Sequence, residues 1–119
     1  MISVVDDDES VRESMQGLLR SVGFAVRVFA SAEDFLNSGH LRDSACLILD
    51  VRMPGMSGLE LQGKLAAAGS EIPVIFITAH GEDAQAREQA MQGGAVDYLF
   101  KPLSEEAILN AVEVALRSK

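Results

Sequence analysis

Apolar residues follow two alternating patterns along the chain. Short runs rich in β-branched residues have the composition of β-strands, and they cover residues 2–5, 24–29, 45–49, 72–77 and 96–100. Between these runs, apolar residues recur at helical spacing, most clearly over residues 11–22 and 108–116. The third and fourth runs are apolar throughout, like strands buried on both faces, whereas the second alternates like an edge strand. The alternation predicts an α/β fold, a five-stranded, doubly wound parallel sheet covered by helices on both faces.

Residues that commonly begin or end a helix stand at the boundaries of the helical stretches. Four of them precede predicted helices: Asp8, Ser31, Ser57 and Ser104. Gly23 and Gly69 stand where the first and third helices should end. Asp8 is therefore interpreted as a helix cap and is left out of the candidate site.

Length, composition and charge narrow the function classes. The 119 residues fit one domain over residues 1–119, and a 48% share of hydrophobic residues is that of a globular core. The net charge of −8 argues against direct contact with nucleic acid. The single cysteine, Cys46, lies in an apolar run and is predicted to be buried. No leader-like or membrane-spanning stretch occurs, so we expect a cytoplasmic protein without membrane contact.

Polar residues follow four of the predicted strands where each strand ends. Asp6 and Asp7 follow the first, Asp50 the third, Thr78 the fourth and Lys101 the fifth. In an open parallel sheet the carboxyl ends of the strands share one edge, and ligands bind there. We therefore expect these five side chains to converge.

The chemistry of this set favours a cation and a phosphate. Asp6, Asp7 and Asp50 would repel one another unless a cation or a proton neutralised them. An all-oxygen cluster suits Mg²⁺, with Mn²⁺ as an alternative, and Mg²⁺ usually shares its site with a phosphate. Lys101 and Thr78 can bind phosphate oxygens. Asp50 between them is suited to act as a nucleophile that forms an aspartyl phosphate.

Four segments together resemble the receiver domain of two-component response regulators, most closely the FixJ-type branch, over essentially the whole chain. The segments are VVDD at residues 4–7, LDVRMPGMSG at 49–58, ITAH at 77–80 and GAVDYLFKP at 94–102. The resemblance implies a flavodoxin-like (βα)5 fold with strand order 2-1-3-4-5. It implies a phosphorylation-dependent switch that undergoes Mg²⁺-dependent self-phosphorylation and slow autodephosphorylation, and is otherwise not an enzyme.

The resemblance also assigns roles around the metal. Asp50 would accept the phosphoryl group. Asp7, Asp50 and the backbone carbonyl of Arg52 would bind Mg²⁺, and Asp6 would contribute mainly through a bound water.

Other matching residues would hold the phosphoryl group and respond to it. Thr78 and Lys101 would bind the phosphoryl oxygens. Tyr98 would turn inward as Thr78 moves toward the phosphate. The Lys101–Pro102 bond resembles one that is cis in the family, and His80 could influence how water reaches the phosphate.

Partners follow from the same resemblance. A sensor histidine kinase or a phosphotransfer protein would supply the phosphoryl group. A helix-turn-helix output domain absent from this chain would be controlled, through a homodimer formed by the fourth helix, fifth strand and fifth helix. A stand-alone receiver acting in a phosphorelay or by protein–protein interaction is the alternative.

Two other function classes fit the sequence less well. A phosphohydrolase would need an acid or base near Asp50, and a flavodoxin-like cofactor binder would need a glycine-rich loop after the first strand.

The stretch between Thr78 and Lys101 departs from the family pattern, because it is one residue longer than usual. Residues 82–91 offer only alanines and one methionine for an apolar face. We expect a loosely held fourth helix, so the dimer geometry of relatives is not carried over to this chain.

Overall fold

A computed structural model describes residues 1–79 and 83–117, in which strands and helices alternate. The strands are β1 (Ile2–Val5), β2 (Val26–Phe29), β3 (Cys46–Asp50), β4 (Val74–Thr78) and β5 (Asp97–Phe100). The helices are α1 (Glu9–Ser21), α2 (Ala32–Asn37), α3 (Gly58–Ala67), α4 (Ala84–Gln92) and α5 (Glu105–Arg117). The predicted element order is confirmed.

The strands form one parallel sheet in the order β2-β1-β3-β4-β5, as the family resemblance implied. Every residue of β3 and β4 is buried, whereas β2 and β5 at the edges are partly exposed. The predicted run 72–77 begins two residues too early, because Pro73 has no amide hydrogen for a strand ladder. Phe24 is likewise not in β2, since its amide bonds to the Leu19 carbonyl and closes α1.

Two apolar cores lie on opposite faces of the sheet. One contains Leu49 and Phe76 with side chains of α2, α3 and α4, such as Phe35. The other contains Ile48 with side chains of α1 and α5, such as Leu19. This arrangement confirms the doubly wound architecture, and Cys46 is buried as predicted.

The predicted helix boundaries are also confirmed. The Asp8 and Ser31 side chains accept hydrogen bonds from the first turns of α1 and α2. Ser57 and Glu60 form a complete capping box at α3. Gly23 and Gly69 follow α1 and α3 with φ of +96° and +78°, a backbone conformation that favours glycine.

Helix α4 buries little apolar surface. Its two buried residues are Ala86 and Ala90, in keeping with its alanine-rich sequence. Among all helices in the part of the chain that the structure describes, none is long and apolar enough to cross a membrane.

Candidate functional site

Three carboxylates meet at the carboxyl-terminal edge of the sheet. Asp6 and Asp7 follow β1, and Asp50 is the last residue of β3, the neighbouring strand. One oxygen from each lies within 4.8 Å of the others. Asp6 and Asp50 are buried and Asp7 is exposed, so the cluster opens to solvent on one side.

Asp6 is fixed by contacts to both its side chain and its main chain. Its Oδ1 accepts a hydrogen bond from the Asp8 amide at 2.9 Å. Its backbone carbonyl accepts one from Arg12 Nη1 at 2.8 Å. Because Asp8 also caps α1, hydrogen bonds link the start of that helix to the carboxylate cluster.

Lys101 extends from the loop after β5 into the cluster. Its Nζ lies 3.0 Å from Asp6 Oδ2 and 3.7 Å from Asp50 Oδ2. Burial opposes the ammonium charge, but the two carboxylates outweigh it and raise the pKa of Lys101. The lysine therefore stays charged, and its bond to Pro102 is cis as predicted.

Asp50 is poorly solvated. Burial, and next to it the negative charge of Asp6, raise the pKa of Asp50 from 3.8 to about 7, although Lys101 opposes the rise. Ionisation near neutral pH leaves a carboxylate that is short of compensating positive charge.

The loop that follows Asp50 is shaped by a close main-chain approach. The Gly58 amide donates to the Val51 carbonyl at 2.9 Å. A Cβ atom on Gly58 would lie only 2.1 Å from the Asp50 carbonyl oxygen. At the tip of the loop Gly55 has φ of +76°, and the next amide, of Met56, donates to Glu33 Oε2 at 3.2 Å. This loop can adopt its path only with glycine at position 58.

Arg52, two residues after Asp50, points its side chain toward the start of α4. Its guanidinium forms an ion pair with Asp83 Oδ2. Asp83 is also the N-cap of α4, since its Oδ1 accepts from the Ala86 amide at 3.0 Å. The main chain of Arg52 stays close to the cluster, and its amide partly offsets the rise in the pKa of Asp50.

Thr78 and Tyr98 are diagonal neighbours on β4 and β5, where Tyr98 is paired with Phe76 and Thr78 with Phe100. Thr78 is fully buried at the end of β4. The Tyr98 ring is 5% exposed and packs between Phe76 and Phe100, with ring centroids 6.2 and 5.7 Å away. Burial and the Asp83 carboxylate raise the pKa of Tyr98, while contact with Thr78 opposes the rise. Tyr98 is thus in the inward position that the family resemblance associates with the switched state.

The donors of the cluster fit a hard cation. They are carboxylate oxygens, which Mg²⁺ prefers. Asp6 Oδ2 is buried and, within residues 1–79 and 83–117, has no hydrogen bond of good geometry besides its ion contact with Lys101. A buried carboxylate oxygen in that state can take a metal-bound water.

The structure brings most of the predicted residues together, in two groups. Asp6, Asp7, Asp50 and Lys101 form the cluster, and the main chain of Arg52 borders it. The second group is the Thr78–Tyr98 pair. The roles assigned to these residues stay predictions, and His80 lies outside the described residues.

Four residues that support the site were not predicted. They are Arg12, Glu33 and Asp83, together with Gln62 of α3, whose Nε2 donates to the Ala90 carbonyl of α4 at 2.9 Å. Asp83 could have been found, because an aspartate before a helical stretch is a common N-cap. The others make contacts between distant parts of the chain that have no sequence signature.

Comparisons with known proteins agree with this geometry. The chain matches the family model described as response regulator receiver domain over residues 2–113. It is 48% identical over 117 residues to the response regulator protein TmoT of Ectopseudomonas mendocina, covering 98% of this chain and 53% of that protein. It is 47% identical over 115 residues to the transcriptional regulatory protein FixJ of Azorhizobium caulinodans, covering 97% of this chain and 54% of that protein.

A solved structure supports the same assignment. A crystal structure of FixJ-N superposes with a TM-score of 0.86 at 42% identity, covering 98% of this chain and 92% of that one. The chain spans about half the length of the curated relatives it matches.

Proposed function

The chain belongs to the response regulator receiver domain family, and from this we propose that it is a switch that accepts a phosphoryl group on Asp50 from a phosphohistidine of a partner kinase or phosphotransfer protein. The observation that carries the proposal is the position of the Lys101 ammonium, 3.0 Å from buried Asp6 and 3.7 Å from buried Asp50. A cation beside these two carboxylates can stabilise negative charge as that charge passes from a carboxylate oxygen to a phosphoryl oxygen.

Asp50 acts as the nucleophile. A carboxylate oxygen of Asp50 attacks phosphorus, an oxygen–phosphorus bond forms, and the nitrogen–phosphorus bond of the donor breaks. The bonding electrons leave with the imidazole nitrogen, and a proton on the second ring nitrogen keeps the leaving group neutral, so the donor histidine is regenerated and an acyl phosphate remains on Asp50. Burial of Asp50 supports this role, because a poorly solvated carboxylate loses little hydration when it attacks.

Lys101 and Thr78 stabilise the transferred group. The Lys101 ammonium pairs with a phosphoryl oxygen as negative charge develops there. The Thr78 hydroxyl, at the end of the neighbouring strand, donates to another. Lys101 is already directed at the carboxylate cluster, whereas Thr78 would move toward the phosphoryl group.

Asp7, Asp50 and the backbone carbonyl of Arg52 would hold the divalent cation, with Asp6 acting through water. Mg²⁺ supplies Lewis-acid stabilisation of phosphoryl oxygens, and Mn²⁺ is an alternative with similar ligand preferences.

The output of the switch is the face formed by α4, β5 and α5. The Tyr98 ring is already buried, and movement of Thr78 toward the phosphoryl group would leave space that stabilises this inward position over an outward one, which favours one of two packings of the face. We propose that the selected packing promotes a homodimer and controls a C-terminal helix-turn-helix domain. The transcriptional relative FixJ supports such an output. A stand-alone receiver in a phosphorelay is the second candidate.

Intact mass after incubation with Mg²⁺ and acetyl phosphate tests the chemistry. We expect one phosphoryl addition that hydroxylamine removes, and none in Asp50→Asn. Asp34→Asn, which removes an exposed carboxylate on α2, is the matched control and should be labelled like the parent. Labelling of Asp50→Asn would show that another residue is the acceptor. Absence of labelling in folded, Mg²⁺-binding parent protein would contradict the proposal.

A further inference from the structure

Helix α4 is attached to the rest of the domain mainly at its two ends. Between the ends, Ala86 and Ala90 are its buried residues, and alanine side chains offer little surface for packing. The contacts at the ends therefore set the position of the helix.

The amino-terminal end is tied to the loop that follows Asp50. The Arg52 guanidinium pairs with Asp83, and the same Asp83 carboxylate caps the helix through the Ala86 amide. Arg52 follows Asp50 after a single residue, so its main chain lies close to the Asp50 carboxylate. A short path thus joins the candidate phosphoacceptor to the first turn of α4. It consists of the main chain at Arg52, the Arg52 side chain and the ion pair with Asp83.

The carboxyl-terminal end is held by α3. Gln62, a buried side chain of α3, donates from Nε2 to the Ala90 carbonyl at 2.9 Å. Gly93, which follows α4, lies directly against this amide: a Cβ atom there would be 2.7 Å from the Gln62 side chain. The end of the helix is closely packed on Gln62.

The two attachments differ in strength. The Arg52 side chain is 54% exposed and the Asp83 side chain 28% exposed, and ion pairs in contact with water contribute little and are readily broken. The Gln62 bond is buried, and breaking it would leave the Gln62 amide group without this acceptor away from water, while the Ala90 carbonyl would keep its bond from the Ala95 amide at 3.1 Å. The helix should therefore yield at its amino-terminal end first.

We propose that Arg52 is a positioning residue that couples the occupied site to α4, with Gln62 as the fixed pivot at the other end. Occupancy of the site shifts the main chain at residues 50–52, the Arg52–Asp83 ion pair strains or separates, and the first turn of α4 swings about the Gln62–Ala90 hydrogen bond. This coupling rests on the proposed function, but the ion pair and the pivot can be tested without phosphorylation.

Hydrogen–deuterium exchange of the free protein tests the attachments through a double-mutant cycle of Arg52→Gln and Asp83→Asn. Asparagine keeps the capping oxygen and removes the charge. We expect each single variant to speed exchange of the Arg87 and Glu88 amides several-fold. The exchange rates of these amides in the double variant should be no faster than in either single variant, and exchange of the Gly93 amide should not change. Gln62→Leu should instead speed exchange of the Gly93 amide and leave exchange of the Arg87 and Glu88 amides unchanged. Arg52→Lys should restore protection, and Arg42→Gln, which removes an exposed arginine before β3, should change neither end.

Additive effects in the double variant, or unchanged exchange at the first turn, would overturn the role of the ion pair. Loss of protection at the first turn in Gln62→Leu would overturn the pivot.

The coupling itself is tested with Mg²⁺ and beryllofluoride, whose bound form is detected independently by fluorine NMR. We expect binding to shift the amide resonances of the first turn of α4, and Asp83→Asn to lose more than half of that shift while still binding. An equal shift in Asp83→Asn would overturn the coupling. No bound fluoride in the parent protein would instead count against the proposed function, while the exchange cycle still decides the attachment of α4.

Discussion

Gly58 and Asp50 approach one another so closely that a Cβ atom on Gly58 would lie 2.1 Å from the Asp50 carbonyl oxygen. The first residue of α3 is therefore packed against the main chain of the candidate phosphoacceptor. A clash with backbone cannot be relieved by a side-chain rotation, so the loop between them depends on glycine.

Gly58→Ala should destabilise the protein and displace Asp50. We expect a loss of about 2 kcal/mol in the free energy of unfolding, as for other substitutions that overfill a packed site, measured by urea denaturation. Gly63→Ala is the control, because Gly63 lies in the same helix with open space around it. That variant should gain about 0.5–1 kcal/mol from helix propensity. Equal effects of the two substitutions would contradict the importance of the close approach.

The free energy of unfolding should fall as pH rises, because Asp50 loses its proton. Its pKa is 3.8 in its ordinary state and about 7 in the folded protein, so between these values the folded protein holds a proton that the unfolded chain has lost. Stability contributed by this proton is present at low pH and is lost as pH rises through about 7. Asp50→Asn should therefore match the parent at low pH and be more stable above neutrality, by on the order of 1 kcal/mol.

Urea titrations across this pH window measure the difference. Asp34→Asn serves as the control, since the difference between its free energy of unfolding and that of the parent should stay constant across this pH window. A parent that becomes more stable than Asp50→Asn with rising pH would show that the sign of the Asp50 shift is wrong.

Binding of Mg²⁺ should release a proton from the same carboxyl group. A metal ligand must be deprotonated, so affinity should weaken as pH falls below about 7. Calorimetry in two buffers with different ionisation enthalpies measures the proton count directly. Absence of proton release at neutral pH would mean that Asp50 is already ionised without the metal.

Lys101 should stabilise the metal-free protein. Lys101→Met leaves Asp6 and Asp50 without their nearest cation, so thermal stability at neutral pH should fall by several degrees, and saturating Mg²⁺ should restore much of it. Lys64→Met removes an exposed lysine of α3 and should change little in either condition. A loss that Mg²⁺ does not reduce would indicate that Lys101 acts through packing instead of charge.

The fold and the cluster were predictable from sequence for related reasons. Alternating strands and helices leave few topologies, and residues at strand ends must share one edge of a parallel sheet. Asp50 and Lys101 were therefore placed correctly without knowledge of any distance. Strand bounds were less accurate, because at Phe24 and Pro73 helix closure and the missing proline amide decide where a strand begins.

The supporting contacts were not predictable in the same way. Arg12, Glu33 and Gln62 are ordinary helix residues by sequence, and each acts on a loop or helix end that folding brings nearby. Asp83 was recognisable as a cap, but its ion pair with Arg52, 31 residues earlier, was not. Such contacts depend on the angle and distance between packed elements, which periodicity does not specify.

The position of Tyr98 has a practical consequence for optical spectroscopy. The chain contains one tyrosine and no tryptophan, so its ultraviolet absorbance and emission above the phenylalanine bands come from a single ring. That ring is buried between Phe76 and Phe100, next to Thr78 and near the charge of Asp83. A rotation toward solvent would change its surroundings from apolar to aqueous. The unlabelled protein thus carries an intrinsic chromophore at the position where two packings of the output face would differ, and rapid mixing with a phosphodonor could record their interconversion in real time.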